Sequence, residues 1–149
     1  MGVREEAGGS VEIEQRMDAP AEKVAAFIGD FRNAKEWMVG VENIEQLGES
    51  DYRLTLESPI GRIQPEAKIV EHGPHSISWV YTSIIEGGGR VDVSPEAEGC
   101  VVSYSGEFRL KRKLLDRAAR FVGVERFARK NGERSLSRLK HLMEARRYR

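Results

Sequence analysis

Two periodicities divide this chain, and they constrain its fold more than any other feature of the sequence. Between Val41 and Leu110, apolar residues recur at every second position in segments separated by short stretches rich in Gly, Pro, Ser and acidic residues. After Lys111 they recur at the three- and four-residue spacing of a helix. Period-two segments joined by short turns predict an antiparallel meander, and the second period predicts a long C-terminal helix.

A strand and two short helices are predicted before the meander. Residues 11–18 alternate apolar and polar side chains, which is typical of a half-buried strand. Pro20 suits the first position of a helix, and Glu22 suits its positive end. A second short helix is predicted over residues 31–38.

Glycines and a proline mark expected irregularities. Pro65 predicts an edge or a bulge within the strand 62–72. The run Gly87-Gly-Gly89 lacks the Lys-Ser/Thr of a phosphate loop, so a hairpin turn is predicted there. Gly123 and Asn131-Gly132 are weak points where the C-terminal helix would kink or break, before an amphipathic helix over 133–145.

Length and composition predict one domain of ordinary size. The chain has 149 residues and 40% hydrophobic residues, and it has no apolar run of the roughly 18 residues needed to span a bilayer. We expect a flexible tail over residues 1–10, a single domain over 11–145 and a short tail over 146–149. Cys100 is the lone cysteine, which favours a reducing, cytoplasmic setting.

Charge is unevenly distributed along the chain. Residues 1–108 carry 9 Lys/Arg and 20 Asp/Glu, whereas residues 109–149 carry 15 Lys/Arg and 4 Asp/Glu. A basic helix that complements an acidic sheet accounts for this most simply. An anionic membrane, an acidic ligand and nucleic acid remain alternatives, although no DNA- or RNA-binding motif accompanies the charge. The predicted basic surface is Lys111, Arg112, Lys113, Arg117, Arg120, Arg126, Arg129 and Lys130.

The order of elements and four local stretches resemble the START-like (SRPBCC) helix-grip superfamily, within it the polyketide cyclase/dehydrase-like branch. The stretches are 13–24, 31–37 followed by Gly40-Val-Glu, 77–80, and 136–144. The likeness covers roughly residues 10–145. It implies an α+β fold: a curved antiparallel sheet of about six to seven strands, two short helices after the first strand, and a long C-terminal helix over an apolar cavity.

A sheet curved around one helix leaves side-chain size to decide whether a cavity remains. Val11, Ile13 and Val102 are predicted on the inner side, and the resemblance places Trp37 and Met38 near one mouth. The predicted cavity residues are Trp37, Met38, Tyr52, Leu54, Leu56, Ile69, Ile77, Trp79, Tyr81, Val91, Tyr104 and Phe108. The alternative is that these large side chains fill the space.

Catalytic groups are sparse. His72 and His75 flank a Gly-Pro turn without the spacing of a zinc site, and no cofactor or metal is predicted. Gln15 is in phase with the inner side. Tyr81 and Tyr104 could orient a ligand or act as weak acids in a ring closure.

The sequence therefore favours a non-enzymatic carrier or sensor that binds a small hydrophobic molecule such as a lipid, isoprenoid or polyketide. The alternatives are a cyclase or dehydratase, and an interaction module that uses the basic helix at an anionic membrane or a partner. Ligand identity and oligomeric state are beyond the sequence.

Overall fold

The computed structural model describes residues 8–58, 61–110 and 124–146, which form eight strands and three helices. The strands are β1 (Gly8–Met17), β2 (Val41–Gln46), β3 (Asp51–Ser58), β4 (Gly61–Ile63), β5 (Glu66–Gly73), β6 (Ser76–Tyr81), β7 (Ile85–Glu96) and β8 (Gly99–Leu110). The helices are α1 (Ala21–Gly29), α2 (Ala34–Trp37) and α3 (Val124–Arg146), and a 3-10 turn (Phe31–Asn33) precedes α2. β1 begins three residues before the alternating pattern at Val11 predicts.

Seven strands form one antiparallel sheet in the order β1-β8-β7-β6-β5-β3-β2. The sheet curls into a half-barrel, and α3 packs mainly against β1. β4 and β5 both pair with β3, so they are one strand interrupted near Pro65, where an irregularity was predicted. The Pro65 carbonyl accepts a hydrogen bond from the Leu54 N–H at 2.9 Å. This is the predicted α+β helix-grip fold.

One end of the concave side is filled by α1 and the turn that follows it. The apolar stripe of α1 is buried against β6, β7 and β8. The Phe31 ring lies 5.1 Å from the ring of Tyr52 and 5.2 Å from that of Trp79, measured between centroids. Aromatic pairs at this separation add to the stability that burial provides, so this end is a packed core.

α3 continues through Asn131-Gly132, so the break predicted there is wrong. A Cβ atom on Gly132 would lie 2.7 Å from Cδ1 of Ile13, which means that the helix backbone approaches β1 closely at this point. Leu136, Leu139 and Met143 are buried farther along the same face. Tertiary packing outweighs the roughly 1 kcal/mol that glycine costs inside a helix. Gly123 lies outside the described residues.

Gly87-Gly-Gly89 lies inside β7 and pairs with β8, so the hairpin turn predicted there is also wrong. A Cβ atom on Gly89 would lie 2.4 Å from Cζ2 of Trp79. The glycines therefore allow β7 to pass close to β6. The turn itself falls at 82–84, where Ile84 has a φ of 71°, a value that is strained for a β-branched residue.

The described part of the chain contains three helices, of which α3 is the longest, with 23 residues. None of them is both long enough and apolar enough to cross a bilayer.

Candidate functional site

A cavity of about 220 Å³ lies between α3, the residues that follow α2, and one end of the sheet. Most of the side chains around it are apolar. Its described lining residues are Val11, Trp37, Met38, Val39, Gly40, Val41, Leu56, Glu57, Ser58, Ile63, Tyr81, Ile85, Gly88, Tyr104, Gly106, Glu107, Phe108, Leu110, Phe127, Ala128, Asn131, Gly132 and Ser135.

Small residues line the cavity on β8 and on α3, although the side chains of Tyr104 and Ile13 already occupy the space next to Gly106 and Gly132. Gly106 on β8 lies on one side, and Ala128 and Gly132 on α3 lie on the other. Ile85 and Leu110, which also line the cavity, belong to a small apolar cluster separate from the main core. Tyr81 packs against both clusters, and the space between them is not filled by the described side chains.

The twelve predicted cavity residues divide into two groups of six. Those on the cavity wall are Trp37, Met38, Leu56, Tyr81, Tyr104 and Phe108. Those packed in or against the main core, away from the cavity, are Tyr52, Leu54, Ile69, Ile77, Trp79 and Val91. All twelve lie on the elements that were predicted to surround the concave side of the sheet. The second group does not line the cavity because α1 and Phe31 fill the space beside it.

Sequence reasoning missed the α3 side of the cavity. Phe127, Asn131 and Ser135 are spaced four residues apart and therefore share one face of the helix. This spacing was visible in the sequence. The predicted weak point at Asn131-Gly132 interrupts it, and neither Asn131 nor Ser135 is apolar, so the apolar stripe does not include them.

Ser135 links the segment after α2 to α3 by hydrogen bonds. Its hydroxyl oxygen accepts a hydrogen bond from the Val39 N–H at 2.7 Å, and the hydroxyl donates to the Asn131 carbonyl at 2.7 Å. Ser135 is the one buried polar side chain in the described core, with 6% of its surface exposed. Gly40, with a φ of 97°, follows in the same segment, and its carbonyl accepts from the Glu57 N–H at 2.8 Å. One wall of the cavity is thus held by two polar contacts.

The uncharged polar residues among the described lining residues include Ser58, Tyr81, Tyr104, Asn131 and Ser135. Burial raises the pKa of Tyr104, and the nearby Tyr81 raises it further. Burial also raises the pKa of Tyr81. Both phenols therefore stay neutral at physiological pH, where they can donate or accept hydrogen bonds but cannot serve as bases.

The charged residues on the described wall are both acidic. Glu57 is exposed and lies 3.6 Å from Arg62, measured between carboxylate oxygen and guanidinium nitrogen. Glu107 is also exposed, and it forms no ion pair within the described residues. On their strands Glu57 is out of phase with Leu56, and Glu107 is out of phase with Tyr104 and Phe108, so both carboxylates point away from the apolar wall.

The other polar candidates lie elsewhere. His72 is exposed, and Nε2 of His75 lies 3.9 Å from a Glu22 carboxylate oxygen. The half-buried Gln15 donates its amide to the Arg16 carbonyl at 3.2 Å. Within the described ranges, no three His, Cys, Asp or Glu side chains gather in a group that could hold a metal ion.

The predicted basic surface is only partly described. Arg126, Arg129 and Lys130 are exposed on α3. Lys111, Arg112, Lys113, Arg117 and Arg120 lie outside the described residues. Arg134 and Arg138 extend the exposed basic residues along the helix, so Arg126, Lys130, Arg134 and Arg138 form a column at four-residue spacing. None of these four forms an ion pair with another described residue.

A family model of polyketide cyclase / dehydrase and lipid-transport proteins matches residues 9–144. The chain belongs to this family. Its fold agrees with that of many solved structures. A comparison with curated proteins finds none that matches this chain.

Three solved structures illustrate how this family member compares with others. The Zhui aromatase/cyclase from Streptomyces sp. R1128 is 18% identical with a TM-score of 0.73, covering 95% of this chain and 96% of that one. A START superfamily protein from Mycobacterium smegmatis is 13% identical with a TM-score of 0.72, covering 91% and 97%. A protein from Deinococcus radiodurans is 24% identical with a TM-score of 0.62, covering 80% and 98%. At these identities, the likeness establishes the fold alone.

Proposed function

We propose that this family member binds a small hydrophobic molecule in the cavity beneath α3 and acts as a carrier or sensor without transforming it. The observation that supports this most directly is the cavity itself, which has a largely apolar wall. The family description, which includes lipid transport, agrees with a binding role. We further propose that it acts in the cytoplasm, since Cys100 is a free, buried thiol.

The volume limits the size of the ligand. An apolar protein cavity of about 150 Å³ accommodates benzene. A cavity of about 220 Å³ is half as large again, so it suits an apolar group about the size of two fused six-membered rings. A longer molecule would have to extend out of the opening.

Native mass spectrometry of the purified protein, followed by denaturing extraction, tests for a bound molecule. We expect a co-purifying compound with an apolar part of this size. A protein that stays unliganded against a broad panel of small apolar compounds would contradict the proposal.

A cavity-filling variant tests the location. In Ala128→Trp the indole would occupy the space beside Gly106 and Gly132, so we expect ligand binding to be lost while the protein stays folded. Ala145→Trp places the same side chain at an exposed position of α3, away from the cavity, and should bind as the original protein does. Equal binding by both variants would place the site elsewhere.

A cyclase or dehydratase is the second candidate, favoured by the two phenols on the wall and by the likeness to an aromatase/cyclase. In that case Tyr104 would donate a hydrogen bond to a substrate carbonyl during ring closure. Incubation with a poly-ketone substrate should then yield a cyclised product with the original protein and not with Tyr104→Phe. Recovery of unchanged substrate with both would reject this candidate.

The basic column of α3 favours a third candidate, docking at an anionic membrane. Sedimentation with phosphatidylglycerol vesicles should then be lost in Lys130→Glu/Arg134→Glu and at high salt. The control Lys23→Glu/Lys35→Glu changes two exposed lysines on the α1 and α2 side and should sediment normally. Binding that no charge reversal changes would reject docking through α3.

A further inference from the structure

We propose that Glu125 and Glu144 are positioning residues that hold the two ends of α3 against the free edge of β1 by hydrogen bonds, and that Glu125 thereby controls how fast a ligand leaves the cavity. The part that concerns ligand release rests on the proposed binding function. Three observations carry the proposal: two hydrogen bonds to the main chain of β1, a close approach at Gly9, and the distribution of buried residues along α3.

The two hydrogen bonds join α3 to the edge of the sheet. β1 is an edge strand of the described sheet, with β8 on one side. A Glu125 carboxylate oxygen accepts from the Ser10 N–H at 3.3 Å, and a Glu144 carboxylate oxygen accepts from the Asp18 N–H, just after β1, at 2.9 Å. The two N–H groups are eight residues apart, and N–H groups an even number of residues apart point to the same side of a strand. Both carboxylates therefore bind the edge of β1 that faces away from β8.

The spacing of the two hydrogen bonds matches the lengths of the two elements. Glu125 and Glu144 are 19 residues apart, a distance of about 28 Å at the rise per residue of an α-helix. Ser10 and Asp18 are about 27 Å apart at the rise per residue of a strand. α3 therefore runs beside β1 in the same direction, with one carboxylate on the main chain of β1 near each end.

Gly9 makes room for the Glu125 side chain. It is in phase with Val11 and Ile13, so it faces the side of β1 on which Gly132 of α3 approaches Ile13. A Cβ atom on Gly9 would lie 3.1 Å from both Cβ and Cγ of Glu125 and 3.3 Å from its Cδ. The glutamate side chain therefore lies across the glycine on its way to the Ser10 N–H, and a larger residue at position 9 would displace it.

The second half of α3 is held by the core as well as by its carboxylate. Leu136, Leu139 and Met143 are buried in the main core. Glu144 also accepts a hydrogen bond from the Lys140 ammonium at 2.9 Å. The β1 N–H and this ammonium lower the pKa of Glu144, as expected for a carboxylate whose charged form is bound.

The first half of α3 forms part of the cavity wall. Between Glu125 and Gly132, Gly132 is the one buried residue of these described positions. Phe127 and Ala128, within one turn of Glu125, line the cavity. A change in the position of this half therefore changes the cavity, and the hydrogen bond of Glu125 acts where the half begins.

Amide hydrogen exchange of the full chain, measured by NMR at residues 127–132, tests the Glu125 contact without a ligand. In Glu125→Ala we expect exchange there to be about two- to ten-fold faster, because one net hydrogen bond opposes local opening by this factor. Glu125→Gln keeps an oxygen that can accept from the Ser10 N–H and should exchange as the original protein does. Gly9→Val should exchange as fast as Glu125→Ala, since its side chain displaces the glutamate.

Two control variants separate this effect from a general loosening of the helix. Glu133→Ala removes an exposed glutamate of α3 that forms no hydrogen bond or ion pair with another described residue, and it should leave exchange unchanged. Glu144→Ala should speed exchange at residues 140–144 but not at 127–132, because the buried Leu136 and Leu139 lie between.

Release of naphthalene, measured by stopped-flow competition, tests the effect on the cavity. We expect release to be about two- to ten-fold faster from Glu125→Ala, in proportion to the exchange rates. Release from Glu125→Gln and Glu144→Ala should match that from the original protein.

Each outcome decides a different part. Equal exchange at 127–132 in the original protein, Glu125→Ala and Gly9→Val would overturn the role of Glu125. Equally fast exchange in Glu125→Ala and Glu125→Gln would show that the charge matters and the hydrogen bond does not. Faster exchange with unchanged release would overturn control of the ligand alone. If exchange responds as expected but naphthalene and the wider panel of apolar compounds do not bind, the binding function fails while the positioning of α3 stands.

Discussion

Gly89 and Trp79 show how one small residue sets the position of a large one. The indole ring is buried, with 2% of its surface exposed, and it covers the space where a Cβ atom of Gly89 would be. On its other side the ring meets Phe31. Alternation along the strand correctly predicts that Trp79 points inward. The run of glycines, however, suggests a turn at Gly89, because a local pattern carries no information about contacts between neighbouring strands.

Gly89→Ala should destabilise the protein by about 1–3 kcal/mol, since the added methyl overlaps a ring that is confined on two sides. Alanine's better backbone propensity offsets only part of this. Urea unfolding monitored by tryptophan fluorescence measures the change. Gly48→Ala is the control: its Cβ would lie 3.4 Å from Asp51 Oδ2, an ordinary contact, and we expect a change within about 0.5 kcal/mol. Equal stability of both variants would contradict the overlap.

The two cavity phenols predict a loss of stability at alkaline pH. The folded state raises the pKa of Tyr81 and Tyr104 above the ordinary value of 10.0. Below about pH 10 both states hold the proton, so the stability is unaffected; above it the unfolded chain ionises first and unfolding becomes easier. The free energy of unfolding should therefore fall as the pH rises above about 10, and less steeply in Tyr104→Phe. If the free energy of unfolding, measured by urea titration at each pH, falls equally steeply in the original protein and in Tyr104→Phe, this role for Tyr104 is ruled out.

Among the elements, α3 shows where local sequence signals and tertiary contacts disagree. Its C-terminal half follows the predicted amphipathic pattern, with Leu136, Leu139 and Met143 buried. Its N-terminal half contains Asn131-Gly132, which local propensity assigns to a break. The close approach to Ile13 on β1 gives the glycine a packing role that no local signal contains.

Ser135→Ala should loosen the segment between α2 and β2. The change leaves the Val39 N–H without its partner, and an unpaired buried donor costs about 1–3 kcal/mol. We expect a loss of stability in this range and faster release of a bound ligand, measured by thermal unfolding and by competition kinetics. Ser137→Ala, two residues farther along α3, removes a hydroxyl without a hydrogen bond to other described residues and should change neither quantity. Unchanged release from Ser135→Ala would show that the segment does not control access.

For the molecule as a whole, the sequence predicted the order of elements and the direction of the strand side chains. It could not predict which end of the sheet is hollow. Tyr52 and Leu56 lie on the same strand and in the same phase, yet Tyr52 is packed against Phe31 while Leu56 lines the cavity. The difference comes from what lies opposite: aromatic and α1 side chains pack against Tyr52, whereas the described side chains opposite Leu56 leave a cavity unfilled. Such pairings across the fold are not encoded in any local pattern.

The cavity also makes the volume of the protein depend on its state. The cavity is partly open, so only the part of its space that water does not fill disappears on unfolding, and hydrostatic pressure favours the unfolded form in proportion to that part. Occupation by a ligand removes the void, and the liganded protein should therefore withstand higher pressure than the empty one by more than its gain in thermal stability alone would suggest. High-pressure fluorescence with and without naphthalene, whose two fused rings match the cavity volume, would measure the difference. Ala128→Trp should resist pressure-induced unfolding to the same extent with no ligand added, because its indole occupies the space that the ligand would fill.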